Sequence, residues 1–193
     1  MDNLTFEQSN TISTSSEAKA KEILNSVFAS DFVSTVGTPL DYENCVDLKS
    51  RNYKVAWRNL NDKYGHELTL KYRSWNLSGD RISTEYEKII RGQSKADYAL
   101  YTFFHDNPQN IKSWIIIDSN ILAKHIKQYA SFNFKGRKYE QRKTYDFLKI
   151  RIMWLRMIGA VVQEWNIIDS PSYKNEGILD GGESEKKFFE EML

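Results

Sequence analysis

The sequence predicts an α/β fold with a mixed central β-sheet flanked by helices. Two patterns support this prediction: short segments in which apolar and polar residues alternate, as in strands, and segments with apolar residues at helical spacing. Strands interleaved with helices pack as a sheet covered by helices. The 193 residues are enough for one domain with its own core. We therefore expect a flexible lead-in (1–15), a single α/β domain (16–169), and a C-terminal loop with a short helix (170–193).

Capping signals and apolar spacing predict the helices. The first is expected over 16–30, opened by a capping box at 14–17. A second capping box at 84–87 opens a short helix that ends at Gly92. Ser119 caps a third helix over 119–129. Each of these helices would cover one face of the sheet.

Alternation and apolar runs predict the strands. Residues 53–58 and 67–73 alternate and are separated by a turn, so we expect them to form an antiparallel hairpin. Residues 145–162 fit either a strand or a helix, and we favour a strand near 145–152 followed by a short helix. Further strands are predicted at 44–48, 96–104 and 113–118.

Composition limits the classes of function. The formal net charge of +1 argues against a bulk electrostatic grip on nucleic acid but permits a local basic face. The single cysteine, Cys45, excludes an internal disulfide and a cysteine-based zinc site. A lone thiol without a signal peptide predicts a cytoplasmic protein, and no segment reads as a membrane span. The sequence also lacks a phosphate-binding glycine-rich loop and a Gly-x-Ser-x-Gly motif.

Acidic residues near strand and helix ends are candidate metal ligands. Asp47 follows a candidate strand, where its carboxylate would suit Mg²⁺; the alternative is a turn acid that binds backbone amides. An acid from Asp41, Glu67 or Glu85 would complete the site. Glu85 also fits a structural role, because an acid is favourable at the positive end of a helix. Asp97 and Glu17 have the same double interpretation.

Basic residues are candidate phosphate ligands. Lys54 and Arg58 share one face of the first alternating strand, and Lys71 and Arg73 share one face of the second. Fixed cations stabilise the charge that develops on a phosphoryl group during cleavage. The alternative is a solvated sheet face in which Glu67 pairs with a cation across the strands. A later loop, 131–144, mixes cations with aromatic residues, which suits nucleic-acid strands or an ordinary surface.

The order of elements over roughly 16–118 resembles the PD-(D/E)XK nuclease superfamily, the restriction-endonuclease-like fold. The segments YKVAWR, ELTLKYR, TEYEKIIRG, ADYALYTFF and SWIIID also resemble an uncharacterised group of small phage and prokaryotic proteins. The resemblance implies a restriction-endonuclease-like core with Asp47 as the first metal-binding acid. The superfamily's acid-x-lysine motif is not matched, because Ala56-Trp57-Arg58 occupies its place. Asp47-Leu48-Lys49 has the right spacing but would need Asp41 as the earlier acid.

The resemblance implies two functions within one class. The chain would be a Mg²⁺-dependent nuclease or a degenerate relative that binds DNA without cleaving it. In a nuclease, Lys49, Lys54 or Lys71 would orient the attacking water or stabilise charge, and Arg58 and Arg73 would hold phosphate. From another class, the alternative is a small non-catalytic phage-type accessory or inhibitor protein that binds a protein partner through its aromatic surface. The sequence leaves the choice between them, and the oligomeric state, open.

Overall fold

The computed structural model describes residues 6–62, 68–75, 81–133 and 145–168. It shows a mixed α/β fold whose central sheet has parallel and antiparallel strands and is flanked by helices, which confirms the predicted fold class. The restriction-endonuclease-like core stays a prediction. The predicted C-terminal loop and helix (170–193) and the basic part of the 131–144 loop lie outside the described residues.

Five helices and nine strands make up the described part of the chain. The helices are α1 (Phe6–Phe28), α2 (Pro39–Tyr42), α3 (Glu85–Ile90), α4 (Ser119–Asn133) and α5 (Ile152–Met157). The strands are β1 (Val33–Ser34), β2 (Leu48–Lys49), β3 (Lys54–Asn61), β4 (Leu68–Trp75), β5 (Arg81–Ile82), β6 (Tyr98–Phe104), β7 (Ile111–Asp118), β8 (Tyr145–Ile150) and β9 (Val161–Trp165). None of these helices is long and apolar enough to cross a membrane.

The larger sheet has six strands in the order β1-β2-β3-β6-β7-β9. Its central pair, β3 and β6, is parallel, with Val55 opposite Tyr98 and Asn61 opposite Phe104. All other pairs in this sheet are antiparallel. Parallel neighbours need a long crossover connection, and here the segment between β3 and β6 carries β4, β5 and α3. The crossover packs α3 against β4 and α4, and Glu85 at the start of α3 reaches Arg58 of β3.

The predicted hairpin between 53–58 and 67–73 is wrong. The first segment is β3, which pairs with β2 and β6, whereas the second is β4, which lies in a separate three-stranded sheet of order β5-β4-β8. Alternation of residue types does not identify the partner of a strand, and in β3 both Val55 and Ala56 are buried, on opposite faces of the sheet. Leu68 and Leu70 of β4 share a buried core with Leu148 and Ile150 of β8, and this shared burial selects β8 as the partner.

Each face of the six-stranded sheet is covered. Leu100 and Ile116 point to one face, where they pack with Leu24 of α1. Tyr101 and Ile115 point to the other face, toward a larger core that includes α4, α5 and the three-stranded sheet. Because consecutive residues of a strand point to opposite faces, β3 contributes to both cores. The face of β3 that carries Lys54, Ala56 and Arg58 is partly covered, because Ala56 is buried in the larger core.

The helix boundaries differ from prediction at the N-terminus and agree at α3. The first helix begins at Phe6 and runs through the predicted capping box, so the expected start near residue 16 is wrong. Ser, Thr and Asn have low helix propensity, and here they did not end the helix. In α3 the capping box is present: Thr84 Oγ1 accepts from the Glu87 amide (3.3 Å) and Glu87 Oε2 accepts from the Thr84 amide (3.2 Å). Gly92 follows this helix with a φ of 67°.

Removing this cap should have a small, measurable effect on stability. We expect Thr84→Ala to lower the free energy of unfolding by about 1 kcal/mol, because one helix amide loses its acceptor. Urea denaturation measures the change. Ser83→Ala, at the exposed neighbouring position, is the matched control and should leave stability unchanged. Equal losses in the two variants would show that the cap contributes nothing.

Candidate functional site

Asp47 is held rigidly at the start of β2. Its amide donates to the Val55 carbonyl (3.0 Å), and its carbonyl accepts from the Thr35 amide (2.9 Å). Two residues earlier, Cys45 has a φ of 56°, a left-handed conformation that is uncommon for a non-glycine residue. This turn brings the chain onto β3. As a result the Asp47 carboxylate reaches the β3 backbone, where Oδ2 accepts from the Trp57 amide at 2.7 Å.

Arg58 of β3 binds two carboxylates at once. Its Nη1 atom lies 3.1 Å from Asp47 Oδ2, and its Nη2 atom lies 3.3 Å from Glu85 Oε1. Nη1 also donates to the Trp57 carbonyl (2.7 Å). Glu85 is the first residue of α3, directly after Thr84 of the capping box, and its carboxylate lies against Arg58. We call Asp47, Arg58 and Glu85 the acid–guanidinium site.

The acid–guanidinium site is poorly hydrated. The side chains of Asp47 and Glu85 are 15% and 11% exposed. Burial raises the pKa of both carboxyl groups, and the charge of Arg58 opposes this rise. Although burial disfavours its charge, Glu85 and Asp47 hold the pKa of Arg58 above its ordinary value. Arg58 is therefore the fixed positive charge that allows two carboxylates to share this place.

Three further side chains surround the site. Tyr101 of β6 is opposite Arg58 in the parallel register and fully buried, and burial together with Glu85 raises the pKa of its hydroxyl. Burial, then Glu85, raises the pKa of the Cys45 thiol. The charge of Lys71 of β4 acts on Glu85, lowering its pKa. The positive charge of β4 therefore acts on this site.

Sequence reasoning missed Tyr101 and assigned no role to Cys45. Alternation along 98–104 groups Tyr101 with Ala99 and Phe103 on one strand face. It does not say which face of the sheet holds the acids.

The structure separates the other predicted acids from this site. Asp41 Oδ2 accepts from the Gly37 amide (3.0 Å), although its charge is close enough to raise the pKa of Asp47. Glu17 pairs with Lys21 on α1 (2.6 Å). Asp97 Oδ2 accepts from the backbone amide of Lys54 (2.8 Å), which joins the starts of β3 and β6. Among the predicted acids in the described residues, only Asp47 and Glu85 bind the same side chain, that of Arg58.

The predicted cations have different environments. Lys49 and Lys54 are directly opposite each other on β2 and β3, and both are exposed. Lys71 is exposed on β4. Arg73 is opposite Asp146 in the β4–β8 pair, but its side chain, like all of Glu67, lies outside the described residues.

The donor set differs from the one that the predicted magnesium site requires. Mg²⁺ requires oxygen ligands in near-octahedral geometry and is usually bound through one or two carboxylates. Here the guanidinium group stands between the two carboxylates and already supplies a cation. In the part of the chain that the structure describes, no group of three His, Cys, Asp or Glu residues could hold a metal ion. The donor set as arranged does not fit the ion, and the magnesium site stays a prediction.

No protein-family model, curated protein or solved structure matches this chain.

Proposed function

We propose that this chain binds nucleic acid through phosphate contacts at the turn between β2 and β3. This corresponds to the DNA-binding, non-cleaving branch of the function that the sequence resemblance implies. The observation that carries the proposal is the pairing of Lys49 with Lys54 across the two strands. Arg51 lies in the turn that joins them, and all three cations are exposed. We call Lys49, Arg51 and Lys54 the basic turn.

Like charges opposite each other destabilise a strand pair. Lys49 and Lys54 occupy such a position, so their mutual repulsion is a cost that a bound anion would relieve. The turn itself is well ordered: the Ser50 amide donates to the Tyr53 carbonyl (2.8 Å), and Ser50 Oγ accepts from the Tyr53 amide (3.1 Å). Because this backbone is fixed, the three exposed side chains leave it at defined points, from which each can reach a phosphate group.

Further cations lie near the basic turn, together with two acids. Asp97, whose carboxylate accepts from the Lys54 amide, comes just before β6. Lys95, two residues earlier in the chain, is exposed. Lys95 lines a groove with Lys88 and Arg91 at the C-terminal end of α3, and Glu43 lines the same groove. A local basic surface of this kind is compatible with a net charge near zero, because nucleic-acid affinity depends on where charge is placed.

The acid–guanidinium site supports binding rather than cleavage. Both carboxylates accept from Arg58, so the groups that a nuclease would use for its metal are occupied by a protein cation. Arg58 in turn has its charge satisfied by these acids and is a poor phosphate ligand. Phosphate contact therefore falls to the exposed cations of the basic turn.

The salt dependence of binding tests this proposal. Fluorescence anisotropy with a labelled duplex and a labelled single strand, over a range of salt concentrations, measures how many phosphates are contacted. We expect the double variant Lys49→Ala/Lys54→Ala to bind more weakly and to reduce the slope of log affinity against log salt by about 2. The loss should be similar for unrelated sequences, because phosphate contacts carry no base specificity.

A matched control separates local contact from net charge. Lys112→Ala/Lys124→Ala removes the same number of exposed lysines from β7 and α4 and should leave the slope unchanged. Equal weakening in the two double variants would overturn the basic turn as the binding surface. A parallel incubation with plasmid and Mg²⁺ or Mn²⁺ tests the other branch: cleavage that Asp47→Ala abolishes would identify a nuclease instead.

A further inference from the structure

We infer that the nucleic acid bound at the basic turn is single-stranded, and that its unpaired bases stack on Tyr53 and Tyr98. This second contact rests on the proposed function, since the phosphates of the same strand would lie on Lys49, Arg51 and Lys54. It adds to that function the class of nucleic acid that the surface selects.

Three aromatic residues meet at the end of the sheet that carries the basic turn. Phe28 is the last residue of α1, Tyr53 comes directly before β3, and Tyr98 is the first residue of β6. The ring centroid of Phe28 lies 4.8 Å from that of each tyrosine, and the two tyrosine centroids are 5.9 Å apart. We call Phe28, Tyr53 and Tyr98 the aromatic cluster. All three residues are half-buried, so each keeps part of its surface toward solvent.

Tyr53 joins the aromatic cluster to the basic turn. Its amide donates to Ser50 Oγ (3.1 Å) and its carbonyl accepts from the Ser50 amide (2.8 Å), so Tyr53 closes the turn that holds Arg51. Lys54 is the next residue, and consecutive residues of a strand point to opposite faces. This end of the sheet therefore presents cations on one side and aromatic rings on the other. A bound single strand divides in the same way, because cations follow its phosphates while its bases stack on aromatic side chains.

The aromatic cluster favours unpaired bases over a duplex. In a duplex the bases stack on one another and present only their edges in the grooves, whereas unpaired bases can stack on aromatic side chains. Phe28 packs against both tyrosine rings. Because these rings are already held in place, a base that stacks on them causes little further loss of side-chain freedom.

Two acids near Tyr98 determine on which side the phosphates can lie. Tyr98 is opposite Asp118 in the β6–β7 pair. Burial raises the pKa of the Tyr98 hydroxyl, and the negative charges of Asp118 and Asp97 add to this rise. The phenol is therefore neutral, and its surroundings repel phosphate but not an uncharged base. A strand with its bases at the aromatic cluster and its phosphates at the basic turn meets this requirement.

An abasic strand tests for the base contacts in the wild-type protein. Fluorescence anisotropy compares a labelled single strand with an abasic strand that has the same number of phosphates. We expect the ordinary strand to bind about 10-fold more tightly, with a similar slope of log affinity against log salt, because only the stacked bases differ. Equal affinity for the two strands would overturn the stacking and leave the phosphate contacts intact. Salt-dependent binding of neither strand would overturn the proposed function and the stacking with it.

Substitutions in the aromatic cluster identify the stacking residues. Tyr53→Leu keeps an apolar side chain without the ring, and we expect it to bind the ordinary strand about 10-fold more weakly, with unchanged affinity for a duplex. Tyr98→Leu should have the same effect. Tyr53→Phe keeps the ring and should bind as the wild-type protein does. Trp165→Leu, which removes an exposed aromatic residue from the far edge of the sheet, should also leave binding unchanged.

The variants can contradict the stacking in two ways. Tyr53→Leu that is folded by circular dichroism and binds the ordinary strand as tightly as the wild-type protein would overturn it. Equal losses in Tyr53→Phe and Tyr53→Leu would also overturn it, because the ring would then not be the group that binds. The comparison with the abasic strand uses the wild-type protein and does not depend on the folding of any variant.

Discussion

Arg58→Ala is expected to lower the free energy of unfolding at neutral pH by about 2–4 kcal/mol. Removing one partner of a buried charge pair typically costs about 3–5 kcal/mol, because the remaining charge is left unpaired. Here two carboxylates are left, but the Arg58 side chain is 35% exposed, and solvent screening reduces the effect. Urea denaturation at low salt measures it. Arg51→Ala, which removes an exposed arginine from the β2–β3 turn, is the control and should change stability by less than about 0.5 kcal/mol.

The same variant should show a characteristic pH dependence. Burial already raises the pKa of Asp47 and Glu85 against the opposing charge of Arg58, so losing Arg58 raises both pKa values further. An acid whose folded pKa is raised contributes stability below its unfolded pKa and loses it as the pH rises through the folded pKa. The deficit of Arg58→Ala is therefore expected to be smaller near pH ~5 than near pH ~8. A deficit that does not change with pH would contradict the assignment of Arg58 as counter-ion to these acids.

Trp154→Ala is expected to cost about 3–5 kcal/mol of stability, as large aromatic truncations in cores do. Trp154 is fully buried in the larger core, which residues of both sheets line. The centroids of its ring and of the Tyr129 ring on α4 are 4.2 Å apart. The Tyr129 hydroxyl in turn donates to the Lys149 carbonyl and accepts from the Arg151 amide (both 3.1 Å). Trp154 thus packs against the residue that ties α4 to the end of β8.

Two variants separate packing from polarity at this position. Trp154 Nε1 is buried and, within the described residues, has no hydrogen-bond partner. Trp154→Phe removes that unsatisfied donor while keeping most of the packing, so it should cost only about 1 kcal/mol. Trp165→Ala, at a tryptophan that is 53% exposed, should cost less than about 0.5 kcal/mol. Similar losses at Trp154 and Trp165 in urea denaturation would show that the core position is not critical.

Local signals in the sequence predicted local structure well. The capping box of α3 lies within four consecutive residues, and its hydrogen bonds join Thr84 and Glu87 without any residue from elsewhere in the chain. The strand over 113–118 and the strand-then-helix order after residue 145 were likewise confirmed. β9 was missed because Val161 and Val162 also fit the apolar face of a helix over 153–162. Its strand character depends on pairing with β7, which no local pattern encodes.

The candidate site was predicted in its members but not in its arrangement. Asp47, Arg58 and Glu85 were each singled out, with the acids as metal ligands and the arginine as a phosphate ligand. What the sequence could not provide was the contact between them. That contact depends on the parallel β3–β6 pair, which returns the chain so that the start of α3 lies over β3. Residue type predicted the charges, and only the fold determined that they neutralise one another.

The interleaving of the two sheets along the chain has a consequence for synthesis on the ribosome. The ribosome synthesises β4 before β6, β7 and α4. The strand that pairs with one edge of β4, β8, is made only after them. Until then a nascent chain carries β4, with its apolar Leu68 and Leu70, with that edge open, and open edges can pair with other molecules. Growing chains on one messenger RNA therefore expose an edge of β4 that β8 covers in the finished molecule, and the translation rate between residues 75 and 145 sets how long that edge stays open.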